Sequence, residues 1–322
     1  MFETAITLLL ALHLLCVNAA SGGPLVAAWL DWRAARGDDA AALAAKFLAR
    51  HALLGLLLGA ILGVTIGWLL WNPAYQSLWT GPLRYKAAGA GIEFAFSFVL
   101  LLAWWLWLPA KGGGRRLSAA LRGVMAMLAT TNLLYHFPVL FSVAARLYDR
   151  GQVAGETIRG ASFRELAAFG ETPPLALHVT LSSLAVAGVL LLGLALRWRR
   201  SGEAAGADRI ALWGGRWALA ATLAQLPVGL WTLAVLPTGP QTQIMGASPI
   251  GILLFVGSLA AALWLMSELG YVALGETSRP NLLRAMAALL ITIFLMTALQ
   301  RQTRTPQPAI SPGQPAAAVS SP

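Results

Sequence analysis

Apolar residues along this chain do not alternate with polar ones; they run together in stretches of about 20, broken by short polar segments. Eight such stretches stand out, roughly at 5–30, 52–71, 87–110, 123–145, 174–196, 217–238, 249–275 and 282–299. Each is long enough, at ~1.5 Å per helical residue, to cross a hydrocarbon layer of ~30 Å. The pattern predicts an all-α polytopic membrane protein of about eight transmembrane helices. Two four-helix bundles are expected, about 1–145 and about 174–299, within one transmembrane domain spanning 1–299. The start, MFETAITLLLALHLLCVNAASGG, has the outline of a signal peptide, but it lacks a basic leader and carries Glu3, so it reads as the first span. The one longer connection, 146–173, contains GASFRELAAFGETPP, which predicts a short amphipathic helix on the membrane surface, closed by a proline pair. The end, TPQPAISPGQPAAAVSSP, has no core-forming pattern, and 300–322 is expected as a disordered Pro/Ala-rich tail.

Composition sharpens this reading. With 58% hydrophobic residues, 11% charged residues and a mean hydropathy of +0.68, a water-soluble domain is excluded and the lipid bilayer becomes the chain's main partner. The net charge of +10 would point to nucleic acid in a soluble protein, but the basic residues cluster in short loops, so no nucleic-acid partner is expected. Placing both termini outside puts 15 of the 23 Lys and Arg on the cytoplasmic side. That balance predicts an integral protein of a bacterial inner (plasma) membrane with both ends outside. Cys16 is the one cysteine, so there is no disulfide framework and no CxxCH attachment site, and any heme would be held non-covalently.

Ionisable groups inside a span are costly and mark function by default. Those present are His13, Glu93, His136, His178 and Glu268. Counting from the outer ends at ~1.5 Å per residue places His178 about 6 Å deep, Glu93 about 9 Å, His13 about 12 Å and His136 about 14 Å. Four groups on four helices thus share one level. A heme standing between helices needs axial nitrogen, sulfur or carboxylate ligands there, which makes His13, His136 and His178 candidate iron ligands. The plainer reading is that they are hydrogen bonds between helices. Glu93 could ligate iron, pass protons as a catalytic group, or bond to Thr130, Thr131 or Asn132. His51 falls at the other interface, Glu268 is expected to be solvated near a span end, and Trp104, Trp105 and Trp107 read as an aromatic belt with Trp68 and Trp71 opposite.

The stretch SFRELAAFGETPPLALHVTLSSLAVAGVLLLGLALRWRR resembles the entry to the fifth helix of cytochrome bd oxidase subunit I. Other segments are similar in the same order and together cover most of the chain: LLLALHLLCV, KFLARHALLGLLLGAILGVTIGW, GIEFAFSFVLLLAWW, GRWALAATLAQLPVGLW and RPNLLRAMAALLITIF. The resemblance implies that His178 ligates a low-spin heme b and His13 a heme of the oxygen-reducing pair. It also implies that Glu93 is one of two third-helix glutamates and Asn132 a proton-path residue. Heme b, one or two, is the implied cofactor, with a d-type heme left open.

The departures from that family matter equally. The loop LPTGPQTQIMGASP is far shorter than the family's quinol-binding loop, Leu253 stands where a methionine ligand is expected, and the final glycine–arginine–glutamine–proline–tryptophan motif and a ninth span are missing. Direct quinol binding is therefore not expected, and His136 is a candidate replacement ligand. The resemblance implies a redox subunit that transfers electrons and could reduce O2, fed by a periplasmic cytochrome c or a partner membrane subunit. The alternative is a non-heme transporter or structural membrane subunit that uses the histidines for interhelical contacts or proton transfer.

Overall fold

The computed structural model describes residues 2–109, 111–113, 115–202 and 204–303. The described residues are helical with short connections. Eight helices are long and apolar enough to cross a membrane. They are α1 (Phe2–Ala34), α2 (Asp39–Leu69), α4 (Arg84–Trp107), α5 (Arg116–Asp149), α7 (Thr172–Arg200), α8 (Ala204–Val235), α10 (Pro249–Ala273) and α11 (Arg279–Thr303). Three short helices, α3 (Pro73–Thr80), α6 (Gly160–Ala168) and α9 (Thr238–Thr242), lie in connections on the face where α1 begins and α11 ends. The protein is an all-α polytopic membrane protein.

Local chemistry explains several helix ends. Asp38 caps α2 by accepting the Ala41 N–H at 3.1 Å, Asn72 caps α3 through the Tyr75 N–H at 2.9 Å, and Ser248 caps α10 through the Gly251 N–H at 3.1 Å. Pro73 and Pro249 follow their caps at the first helical turn, where a missing N–H costs nothing. α6 is the amphipathic segment expected from the sequence. Its last carbonyls, Leu166 O and Phe169 O, accept from the Arg146 guanidinium at 3.1 and 2.9 Å. The expected tail begins inside α11, which runs on to Thr303; the rest of it lies outside the described residues.

α1, α2, α4 and α5 pack around one ring and α7, α8, α10 and α11 around another, with α1 against α7 at the seam. Lipid is as apolar as leucine, so close helix contact in a membrane depends on small residues. A Cβ at Gly22 would lie 2.0 Å from Ser183 O across the seam, and one at Gly188 would lie 2.6 Å from Gly214 O between α7 and α8. On the face opposite the chain ends, Trp29 of α1 meets Trp213 and Trp217 of α8 edge-on at 5.8 Å, and Arg33 lies over Trp213 at 4.8 Å. Asp38 accepts from Arg33 at 3.5 Å and pairs with Arg209 of α8 at 3.6 Å. These contacts join the two rings.

Two expectations are corrected. Glu268 is buried rather than solvated, since α10 turns it toward α11, where Arg284 donates to it at 3.1 Å, and Trp264 one turn earlier on α10 donates to it at 3.1 Å. Trp104 belongs to the core, fully buried, rather than to a belt facing headgroups.

Candidate heme-ligand and proton-pair site

His13 lies about a third of the way along α1 and turns toward α2. Its Nδ1 lies 2.8 Å from the carbonyl oxygen of Gly59. A carbonyl can only accept, so Nδ1 carries the proton and Nε2 keeps its lone pair. One turn further along α2, Gly63 makes room for the ring: a Cβ there would meet His13 Cε1 at 2.9 Å. A backbone bond that fixes tautomer and ring orientation is the usual support of a ligating histidine.

His178 is half-buried in the second turn of α7 and makes no hydrogen bond among the described residues. One turn below it, on the same face, Ser182 donates to Gln225 Oε1 of α8 at 3.3 Å. His178 thus belongs to the α7–α8 side of the seam and His13 to the α1–α2 side. They are not turned toward each other. Leu253, at the position where a methionine ligand was sought, is 71% exposed on the outer surface of α10.

Glu93 and His136 are brought together. Their Oε2 and Nε2 atoms are 3.7 Å apart across α4 and α5, and the two side chains are equally and only partly exposed. Asn132, one turn from His136, donates to the Glu93 carbonyl at 2.9 Å and to the Ser97 hydroxyl at 2.8 Å. Tyr135 meets the His136 ring edge-on at 5.0 Å. His51, by contrast, closes locally on the Phe47 carbonyl at 2.7 Å and stacks on its ring.

Helix register decides whether these groups share a level. Asn18 and Gly22 of α1 both meet Ser183 of the parallel α7, so His178, five positions earlier, is level with positions 13–17 of α1. Thr130 of the antiparallel α5 donates to Ser21 O, which sets His136, six positions on, level with position 15. His13, His136, His178 and Glu93 therefore occupy one layer about a turn thick, ~5 Å. No cluster of three or more metal-ligating side chains forms among the described residues.

Against this geometry the likeness to solved structures can be weighed. A chain of the bd oxidase from Geobacillus thermodenitrificans matches with a TM-score of 0.74 and 14% sequence identity, over 93% of this chain and 85% of that one. The fold is bd-oxidase-like. By sequence, no family profile and no curated protein matches the chain. At 14% identity the likeness is one of architecture.

Sequence reasoning missed several partners of these residues. Ser97 and Tyr135 carry no signal in an apolar run, and the Asp31–Arg122 pair links residues 91 positions apart, with Arg122 Nε and Nη2 at 2.7 and 2.8 Å from the carboxylate.

Proposed function

We propose that this protein is a heme-carrying redox subunit on a bd-oxidase-like fold, in which His13 and His178 are the side chains that would hold heme b through a ring nitrogen. The observation that carries the reading is that two intramembrane imidazoles in one layer each keep a ring nitrogen unclaimed by protein groups. A buried imidazole without a partner is costly, and a metal–nitrogen bond relieves that cost. A bound heme would supply one-electron transfer and, where its sixth position stays open, a place for O2.

The chain's own residues do the rest. The Gly59 carbonyl holds His13 as the Nδ1–H tautomer, and Gly63 gives its ring space. Glu93 Oε2 and His136 Nε2 are close enough for one water to pass a proton between them, and Asn132 fixes the α4 backbone beneath that exchange. His136 is accordingly assigned to proton transfer with Glu93 rather than to replacing the methionine ligand. The connection from α8 to α10, 236–248, is too short to build a quinol site by itself, so electrons would come from a periplasmic cytochrome c or a partner membrane subunit. A bacterial inner membrane with both ends outside completes the reading.

The Glu93–His136 pair also supports a second reading, a non-heme transporter or structural subunit, because that pair could carry protons without any heme. A reduced-minus-oxidised visible spectrum of the purified full chain separates the two. Heme bands that diminish in His178→Ala and in His13→Ala, and persist in His51→Ala, are expected. A protein that is folded and colourless sinks the redox reading, as does full heme content in His178→Ala. Added ubiquinol is expected not to reduce the isolated chain.

A further inference from the structure

A half-open cavity of about 380 Å³ lies on the face where α1 begins and α11 ends, and its Tyr135 wall adjoins His136. Its walls are Tyr85 and Lys86 at the start of α4, Tyr135 of α5, and Arg159, Phe163 and Arg164 at α6. Three cations line it and no acid does. The Lys86 ammonium rests 4.3 Å from the Phe163 ring centre and the Arg159 guanidinium 5.2 Å from that of Tyr85. None of the three cations has an ion pair or hydrogen bond among the described residues. The contrast is with Arg33, Arg122, Arg199, Arg209, Arg284 and Arg301, each of which meets a carboxylate. Unopposed like charges around one cavity repel, and an anion placed among them relieves the repulsion.

What lies beneath the cavity defines the kind of anion. Tyr85 begins a stripe down α4 that continues through Ile92, Phe96 and Val99, all exposed large hydrophobic side chains at helical spacing. The cavity opens beside the first turn of α4, where a candidate membrane span begins. A ligand matching both parts has a negative head and a hydrocarbon tail.

We propose that this pocket binds an anionic phospholipid, its phosphate held by Lys86, Arg159 and Arg164 and one acyl chain laid along Ile92, Phe96 and Val99. Phe163 anchors α6 in the small apolar core formed by Leu78, Leu83, Leu140, Val143 and Leu147, so the headgroup would fasten α6 to α4.

The test uses full-length protein in detergent, with bound lipid counted by native mass spectrometry. Dioleoyl phosphatidylglycerol should be retained in preference to dioleoyl phosphatidylcholine. Arg159→Gln and Arg164→Gln should each weaken retention roughly fivefold, the effect of about 1 kcal/mol per surface cation. The triple variant with Lys86→Gln should lose the preference, and Arg36→Gln on the opposite face should keep it. Arg164 is exposed and makes no bond, so Arg164→Gln stays folded and reports on binding alone. Equal retention of the two lipids, or unchanged retention in Arg164→Gln, overturns the proposal. Displacement of phosphatidylglycerol by millimolar inorganic phosphate would assign the pocket to a free anion and overturn it as well.

Discussion

A carboxylate at 1% exposure and a guanidinium at 7% are tolerated in α1 and α5 only because Asp31 and Arg122 satisfy each other through two hydrogen bonds. Removing one partner strands the other charge, so Arg122→Leu should destabilise the protein by about 3–5 kcal/mol. The double variant Asp31→Leu/Arg122→Leu should recover most of that loss, read as thermal unfolding by circular dichroism in detergent. A second expectation concerns Gly63. Gly63→Val should displace the His13 ring and lower the same heme absorbance that His13→Ala removes, whereas Gly67→Val, with nothing within 4 Å, should not. Equal spectra for the two valine variants would count against the role given to His13. At this scale the sequence exposed the rare groups because ions are conspicuous in apolar runs, and His13, Glu93, His136 and His178 were visible that way. Their partners were not. Whether Glu93 meets His136 or Thr130 depends on helix rotation, which an almost uniformly apolar helix does not encode in its periodicity.

Helices tell a similar story one level up. The apolar runs located all eight spans, since the bilayer imposes a minimum length that composition satisfies or fails. Their ends were less legible. α2 starts at Asp39, well before the apolar run near 52, because the alanine-rich segment after the Asp38 cap is helical although Lys46 and Arg50 interrupt its hydropathy. Helix α3 went unforeseen, although Asn72 followed by Pro73 was a readable start signal. Packing between helices rests on glycines whose role emerges only from the partner's backbone. Gly188→Leu should therefore loosen α7 from α8 and shift the absorbance assigned to His178 without touching that residue, while Gly229→Leu, in open space on α8, should leave both stability and spectrum unchanged.

For the whole described molecule, eight spans bring the start of α1 and the end of α11 to one face, and Arg301 of α11 donates to Glu3 of α1 there. Which face that is follows from the basic loops, and the expected answer is the outside. In a Cys16→Ser background, Ala154→Cys should react with a membrane-impermeant maleimide added to intact cells, and Ser201→Cys only after lysis. The opposite pattern would invert the proposed topology. At this scale the fold matches the bd oxidase chain with a TM-score of 0.74 although only 14% of residues are identical.

The distance along the chain between Asp31 and Arg122 has a consequence in time. Ribosomes extend a chain at roughly 5–20 residues per second, so the 91 positions between them mean that α1 enters the membrane roughly 5–20 s before its counter-ion is made. During that interval a carboxylate near one end of the first span has no partner from the protein. It must stay near water or be sheltered by the insertion machinery. α1 is thus made well before its packing is complete, since its contacts with α7 and α11 arrive later still.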